Sequence, residues 1–200
     1  MTKCLLAIDT ARLAQRLDNL RKSASSTVHF LVTETENSDF VFIHKRIMKI
    51  LYTTVVDQGV DYSSKHFADE VAAYLADPDG WRSEGYSFVR SRNPDVVIHL
   101  STPEQLGKNG CRDPKLSCAE LGGKHMYLNS MRWTSGASPS KLELKDYRQY
   151  MVSHEMGHIL GRDHVDCPRE NAPAPIMLQQ TIGIGKCKPN TKLTLNDRKK

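Results

Sequence analysis

His154-Glu155-Met156-Gly157-His158-Ile159-Leu160-Gly161-Arg162-Asp163-His164 reads H-E-x-x-H-x-x-G-x-x-H. On a helix, His154 and His158 lie one turn apart and project from one face. Two imidazoles so placed hold one zinc ion, and Glu155 can reach a water at that metal. Gly161 stands where the helix should stop, because a left-handed residue is cheap there only for glycine. The chain then turns back and can bring His164 round as a third ligand. Three protein nitrogens leave a fourth tetrahedral position open, the arrangement of a catalytic zinc rather than a structural one. Five fixed residues arise by accident with a chance on the order of 10⁻⁴ over a chain of this length. Scattered surface histidines are therefore the weaker reading.

Upstream, Ser140-Lys141-Leu142-Glu143 matches a capping box and predicts a helix from there to Leu160. Tyr147, Tyr150, Met151, His154 and His158 fall near one face of that helix, which should be buried against a sheet except at the metal. Asp163, Asp166 and Asn129 are candidates to accept a histidine N–H. Downstream come Cys167-Pro168 and Ala174-Pro175-Ile176-Met177.

The zinc motif followed by a Met in a tight turn resembles the metzincin zinc proteases, at His154, Glu155, His158, Gly161, His164 and Met177. The resemblance implies that Met177 forms an apolar floor under the metal without binding it. From Tyr62 to Pro189 the chain also looks like an uncharacterised, actinobacterial-type metzincin-like family. The pieces that carry this likeness are Asp77-Pro78-Asp79-Gly80-Trp81, Arg132-Trp133, Tyr147-Arg148-Gln149-Tyr150, the zinc motif, Cys167-Pro168, the segment Ala174 to Thr181 and Cys187-Lys188-Pro189-Asn190. It implies a zincin-type fold and one catalytic Zn²⁺, and it supplies no substrate.

Two hundred residues suit one domain with an extension, long enough to bury a core without metal or disulfides to hold it. With 39% hydrophobic and 26% charged residues, the composition argues against disorder. The net charge of +5 owes much to Lys186, Lys188, Lys192, Arg198, Lys199 and Lys200. No aromatic residues interleave this basic tail, so a solvated tail is favoured over a nucleic-acid surface. No run approaches the ~18 apolar residues of a membrane helix. Leu5 to Ile8 is apolar, but Asp9 breaks the run short of a secretory signal. Setting Cys4 aside, four cysteines allow three pairings. The economical one is Cys111–Cys118 with Cys167–Cys187, two local loops pointing to an extracellular or otherwise oxidising compartment. Five reduced thiols, and a cytoplasmic or virion-associated protein, are the alternative in the absence of a clear signal.

Along the chain, residues 4–22 read as a helix, 23–27 as a linker and Val28–Val32 as a short strand. Residues 1–40 are an extension of unread role, in which Cys4 is most simply incidental. Ile50–Asp57 is rich in β-branched residues and reads as a strand. Asp61 to Ser64 can cap a helix whose stripe is Phe67, Val71, Tyr74 and Leu75, ended by the turn Asp77-Pro78-Asp79-Gly80. Ser87–Ser91 and Val96–Leu100 read as two strands, and Asn93-Pro94 between them suggests a hairpin. His99 alternates with apolar neighbours and is read as structural. Thr102–Gly123 reads as loop, Lys124–Asn129 as a strand and a candidate sheet edge for an extended peptide, and Thr134–Ser140 as a linker.

The expected fold is α+β and zincin-like: a small twisted mixed sheet, a backing helix, an active-site helix and an irregular C-terminal part. A catalytic domain of residues 41–200 would divide into an upper part, 41–161, and a lower part with the Met-turn, 162–200. The function expected is a monomeric zinc endopeptidase that cleaves a polypeptide with Glu155 as general base. A zinc-binding recognition module without activity and a zinc amidase acting on a non-protein amide are the rivals. The intact Glu155 speaks against the first of these.

Overall fold

A computed structural model describes residues 29–34, 40–45 and 47–198. The expected helix over 4–22, the linker and Cys4 lie outside the described residues. The chain divides into two compact units, residues 1–48 and 49–200. In the first, β1 (His29–Glu34) and β2 (Phe40–Lys45) form an antiparallel pair in which His29 stands opposite Lys45 and Glu34 opposite Phe40. The expected boundary at 40/41 thus falls inside β2.

The rest of the chain is mixed α/β, a five-stranded sheet with four helices among the described residues. Its strands are β3 (Met48–Val56), β4 (Tyr86–Arg90), β5 (Val96–Ser101), β6 (Cys118–Ala119) and β7 (His125–Asn129), in the order β4-β3-β5-β7-β6. β3, β5 and β7 run parallel, and β6 is antiparallel to β7. Parallel neighbours need crossover connections. This is why Ser87–Ser91 and Val96–Leu100 are not a hairpin: β3 lies between β4 and β5. It is also why the strand at Lys124–Asn129 is not an edge. β7 is interior, and the two-residue β6 closes the sheet beside it.

The helices are α1 (Ser64–Leu75), α2 (Pro103–Lys108), α3 (Ser130–Ser135) and α4 (Leu144–Ile159). The stretch read as loop holds α2, because Thr102 and Gln105 make a capping box with Pro103 in the first turn. Asn129 caps α3, its side chain accepting from the N–H groups of Met131 and Arg132. α1 starts at Ser63, whose hydroxyl accepts from His66 N, and it buries the expected stripe.

The capping box expected at Ser140–Glu143 does not form. Ser138–Ser140 is a short 3-10 turn, Lys141 is left-handed at φ 56°, and α4 begins after Glu143 without a side-chain cap. The Ser140 hydroxyl instead donates to Ala137 O at 2.6 Å. α4 differs in a second way from a one-faced helix. From Tyr150 to Ile159 every residue is buried, because the helix touches β6, β7, α1 and α3.

The core joins Tyr52, Val96, Ile98, Leu100, Met126 and Leu128 of the sheet to the buried faces of α1 and α4. Trp133 is its centre, wholly buried, with Phe67 edge-on at 5.1 Å. The Arg148 guanidinium lies 5.3 Å from the Trp133 ring and pairs with Glu70 at 2.7 Å, tying α4 to α1. Trp81 follows the Asp77–Gly80 turn and donates from Nε1 to Ser153 O at 2.8 Å, anchoring that turn on α4.

Disulfides join Cys111 to Cys118 and Cys167 to Cys187. They are compatible with an oxidising compartment. No helix among the described residues is long and apolar enough to cross a membrane.

Candidate metal centre

α4 carries His154, Glu155 and His158 on its last turns and ends one residue later. Gly161 then takes φ +77°. Its N–H bonds His158 O at 2.8 Å, and Arg162 N–H bonds Gly157 O at 2.9 Å. This is a Schellman closure, and a side chain at Gly161 would make that left-handed turn costly. The reversal brings His164 back over the helix end.

The three rings meet through their Nε2 atoms. His164 Nε2 lies 3.1 Å from His158 Nε2 and 3.3 Å from His154 Nε2. Two nitrogens each bound to one tetrahedral zinc stand about 3.3 Å apart, so the spacing suits a single ion. His154, His158 and His164 form a cluster able to hold a metal, two of them buried and the third exposed.

The opposite nitrogens set the tautomers. His154 Nδ1–H donates to Ile176 O at 2.7 Å, and His158 Nδ1–H donates to Arg162 O at 2.8 Å. Each bond leaves an Nε2 lone pair facing the centre. The acceptors are backbone carbonyls rather than the side chains of Asp163, Asp166 or Asn129 considered from sequence. Asp163 caps the backbone of His164 at 2.7 Å, Asn129 caps α3, and Asp166 is exposed. Burial, reinforced by the neighbouring imidazole of His158, pushes the His154 pKa down to about 3. Burial also lowers those of His158 and His164. All three are therefore neutral near pH 7, the form that binds metal.

Glu155 is buried beside them, and burial alone pushes its carboxyl up to about 8. Its Oε2 has no hydrogen-bond partner among the described residues. An unpaired buried carboxyl oxygen is costly and calls for a polar or cationic neighbour. The donor set, its spacing and this orphan oxygen together fit a zinc ion. Leu116, Ser117, Tyr150, Gln179, Thr181 and Ile182 line the cleft next to Glu155.

Met177 is wholly buried in the turn Pro175–Leu178, closed by Leu178 N–H to Pro175 O at 3.1 Å. A Cβ built on Gly157 would collide with its sulfur and would stand 2.8 Å from Trp81 Cζ2. Gly157 is thus the gap through which Met177 approaches the helix between the two histidines. Sequence reasoning passed over it.

Asp197 was passed over too, because nothing in the C-terminal tail suggested a buried acid. Its carboxylate accepts Met177 N–H at 2.7 Å and Thr194 N–H at 2.7 Å, which pins the Met-turn. Tyr150 OH does similar work, donating to Leu178 O at 3.0 Å and accepting Gln180 N–H at 2.8 Å. The Cys167–Cys187 disulfide lies in the same C-terminal segment.

No curated protein sequence matches this chain. Among solved structures, 49 chains match. One is high choriolytic enzyme 1, a hatching enzyme zinc-protease from Oryzias latipes (medaka fish), 20% identical, with a TM-score of 0.33. The alignment covers 59% of this chain and 46% of that one, so the chain spans a little under half of that protein's length. The model of a family described as "Protein of unknown function (DUF3152)" matches residues 29–197, most of the sequence. The chain belongs to the DUF3152 family.

Proposed function

We propose that this chain is a zinc-dependent endopeptidase of metzincin type, with His154, His158 and His164 as ligands and Glu155 as the proton carrier. The observation that supports it most is the convergence of three neutral imidazole nitrogens, 3.1 and 3.3 Å apart, beside a buried carboxyl group with an unpartnered oxygen. A zinc ion held there supplies Lewis acidity at an open coordination position. The chain's own residues do the rest. Glu155 takes the proton of the attacking water and delivers it to the leaving amine nitrogen as the amide bond breaks. The carbonyls of Ile176 and Arg162 hold the two helix histidines in the ligand tautomer throughout. Met177 packs beneath, keeping water from the inner side of the site.

Among the described residues β6 is the last strand of the sheet, next to Leu116 and Ser117 of the cleft that Glu155 lines, and an extended peptide would pair with its outer side. A peptide substrate follows from this edge more readily than a compact non-protein amide, which needs no strand to pair with.

The test is cleavage of a peptide library. Activity should vanish on chelation and return on adding Zn²⁺. Zinc uptake without cleavage of any peptide would sink the peptidase reading and favour a recognition module.

A further inference from the structure

The sheet has a second face, turned away from α1 and α4. Ile98, Leu100, Met126 and Leu128 are fully buried on the helix side. The period-two alternation of β5 and β7 therefore sends His99, His125 and Tyr127 to the other side. In the register His99 stands beside Tyr127 and His125 beside Val97, so the two histidines are diagonal neighbours on adjacent strands.

Their rings meet. His99 Nε2 lies 3.2 Å from His125 Nδ1. The other nitrogen of His99, Nδ1, lies 3.2 Å from Asp57 Oδ1, while Asp57 Oδ2 accepts the Ser101 hydroxyl at 2.6 Å. The carboxylate holds the proton of His99 on Nδ1 and leaves a lone pair on Nε2 facing His125. This group is held in place: the side chains of Asp57 and His99 are each 16% exposed, and the His99 ring stacks on Tyr127 at 4.7 Å. His125 is exposed. A cavity of ≈ 350 Å³ opens at the group, with Gln105 and Asn109 in its wall. Lys108 also lines it, already paired with Glu104 at 2.6 Å.

We infer that His99 and His125 form a second cation site, for a divalent transition metal such as Zn²⁺ or Ni²⁺, with Asp57 orienting His99. A carboxylate behind an imidazole is the recurrent support of a metal-bound histidine. Imidazole pairs suit zinc, nickel and copper. The 3.2 Å gap matches the ~3.3 Å between two nitrogens on one tetrahedral ion. Binding balances without net proton release: His99 keeps Nδ1–H on Asp57, and His125 moves its proton from Nδ1 to the exposed Nε2. Water from the open cavity fills the remaining positions. With two protein ligands against three, this site is the weaker of the two, and it shares no residue with the first.

The experiment is a Zn²⁺ titration of the full chain by calorimetry, with wild type and His125→Ala compared. Wild type should bind two ions and His125→Ala one, with peptidase activity unchanged in the variant. Asp57→Asn should keep both sites but weaken the second about tenfold or more. One ion in both proteins, lost on His154→Ala, overturns this inference and leaves the proposed function standing; the histidine pair then shares only a proton. No ion in either protein overturns both.

Discussion

Glu155→Gln should lower peptidase turnover by about 10²–10⁴-fold, the usual contribution of a positioned general base, while zinc content stays at the wild-type level. Glutamine keeps the size and shape of the side chain and cannot carry the proton. A second readout separates this from a merely structural change. In the metal-free protein, burial raises the Glu155 pKa from 4.5 to about 8. A raised pKa means that the folded state holds this proton more tightly than the unfolded chain. Its stabilising contribution is complete below about pH 4.5 and is lost as pH rises through 8. The glutamine variant lacks that loss. Metal-free Glu155→Gln should therefore be more stable than metal-free wild type at pH 8–9, measured by denaturant unfolding. Equal turnover in the two proteins would remove Glu155 from the chemistry.

Gly157→Ala is the second substitution with a large expected effect. In an exposed helix it would stabilise by about 1 kcal/mol, since glycine is a poor helix former. Here the new Cβ would meet the Met177 sulfur and stand 2.8 Å from Trp81 Cζ2. Neither neighbour is free to yield. Met177 is fully buried with its backbone bonded to Asp197, and Trp81 is pinned through Nε1 to Ser153 O. Overpacking of a closed core costs about 1–3 kcal/mol, sometimes more. The clash should outweigh the propensity gain, with net destabilisation on denaturant unfolding. Zinc affinity should also fall, because the displaced Met-turn carries Ile176 O, the acceptor for His154 Nδ1–H. A variant as stable as wild type would show that the gap at Gly157 has slack.

The sequence made the metal motif legible because each element of it is local. Helical spacing places His154 and His158, and the left-handed preference of glycine places the reversal at Gly161. α1 was equally legible, since its stripe, a cap within Asp61–Ser64 and its Asp77–Gly80 turn all agree; the structure puts the cap at Ser63. What could not be read was set by distant partners. The hairpin expected at Asn93-Pro94 was lost to β3, which inserts between the two strands and pairs with both. The capping box at Ser140–Glu143 had the right residue types, yet a left-handed Lys141 breaks it. Conversely, the Thr102–Gln105 box that opens α2 has a pattern that can be read locally and was missed amid glycines and prolines. Asp197 and Gly157 matter through distant contacts, Asp197 with the Met177 backbone and Gly157 with Met177 and Trp81, and no periodicity reports those. His99 looked like an ordinary strand histidine. Only strand order and register bring Asp57 and His125 to it.

The central claim is that His154, His158 and His164 hold one tightly bound zinc ion. The most direct measurement is elemental analysis of purified, extensively dialysed protein. Wild type should retain about one zinc per chain, because three nitrogen ligands bind far more tightly than the pair at His99 and His125. His154→Ala should retain almost none while remaining folded by circular dichroism. A dialysed wild-type protein without zinc, or a His154→Ala protein that keeps it, would contradict the claim.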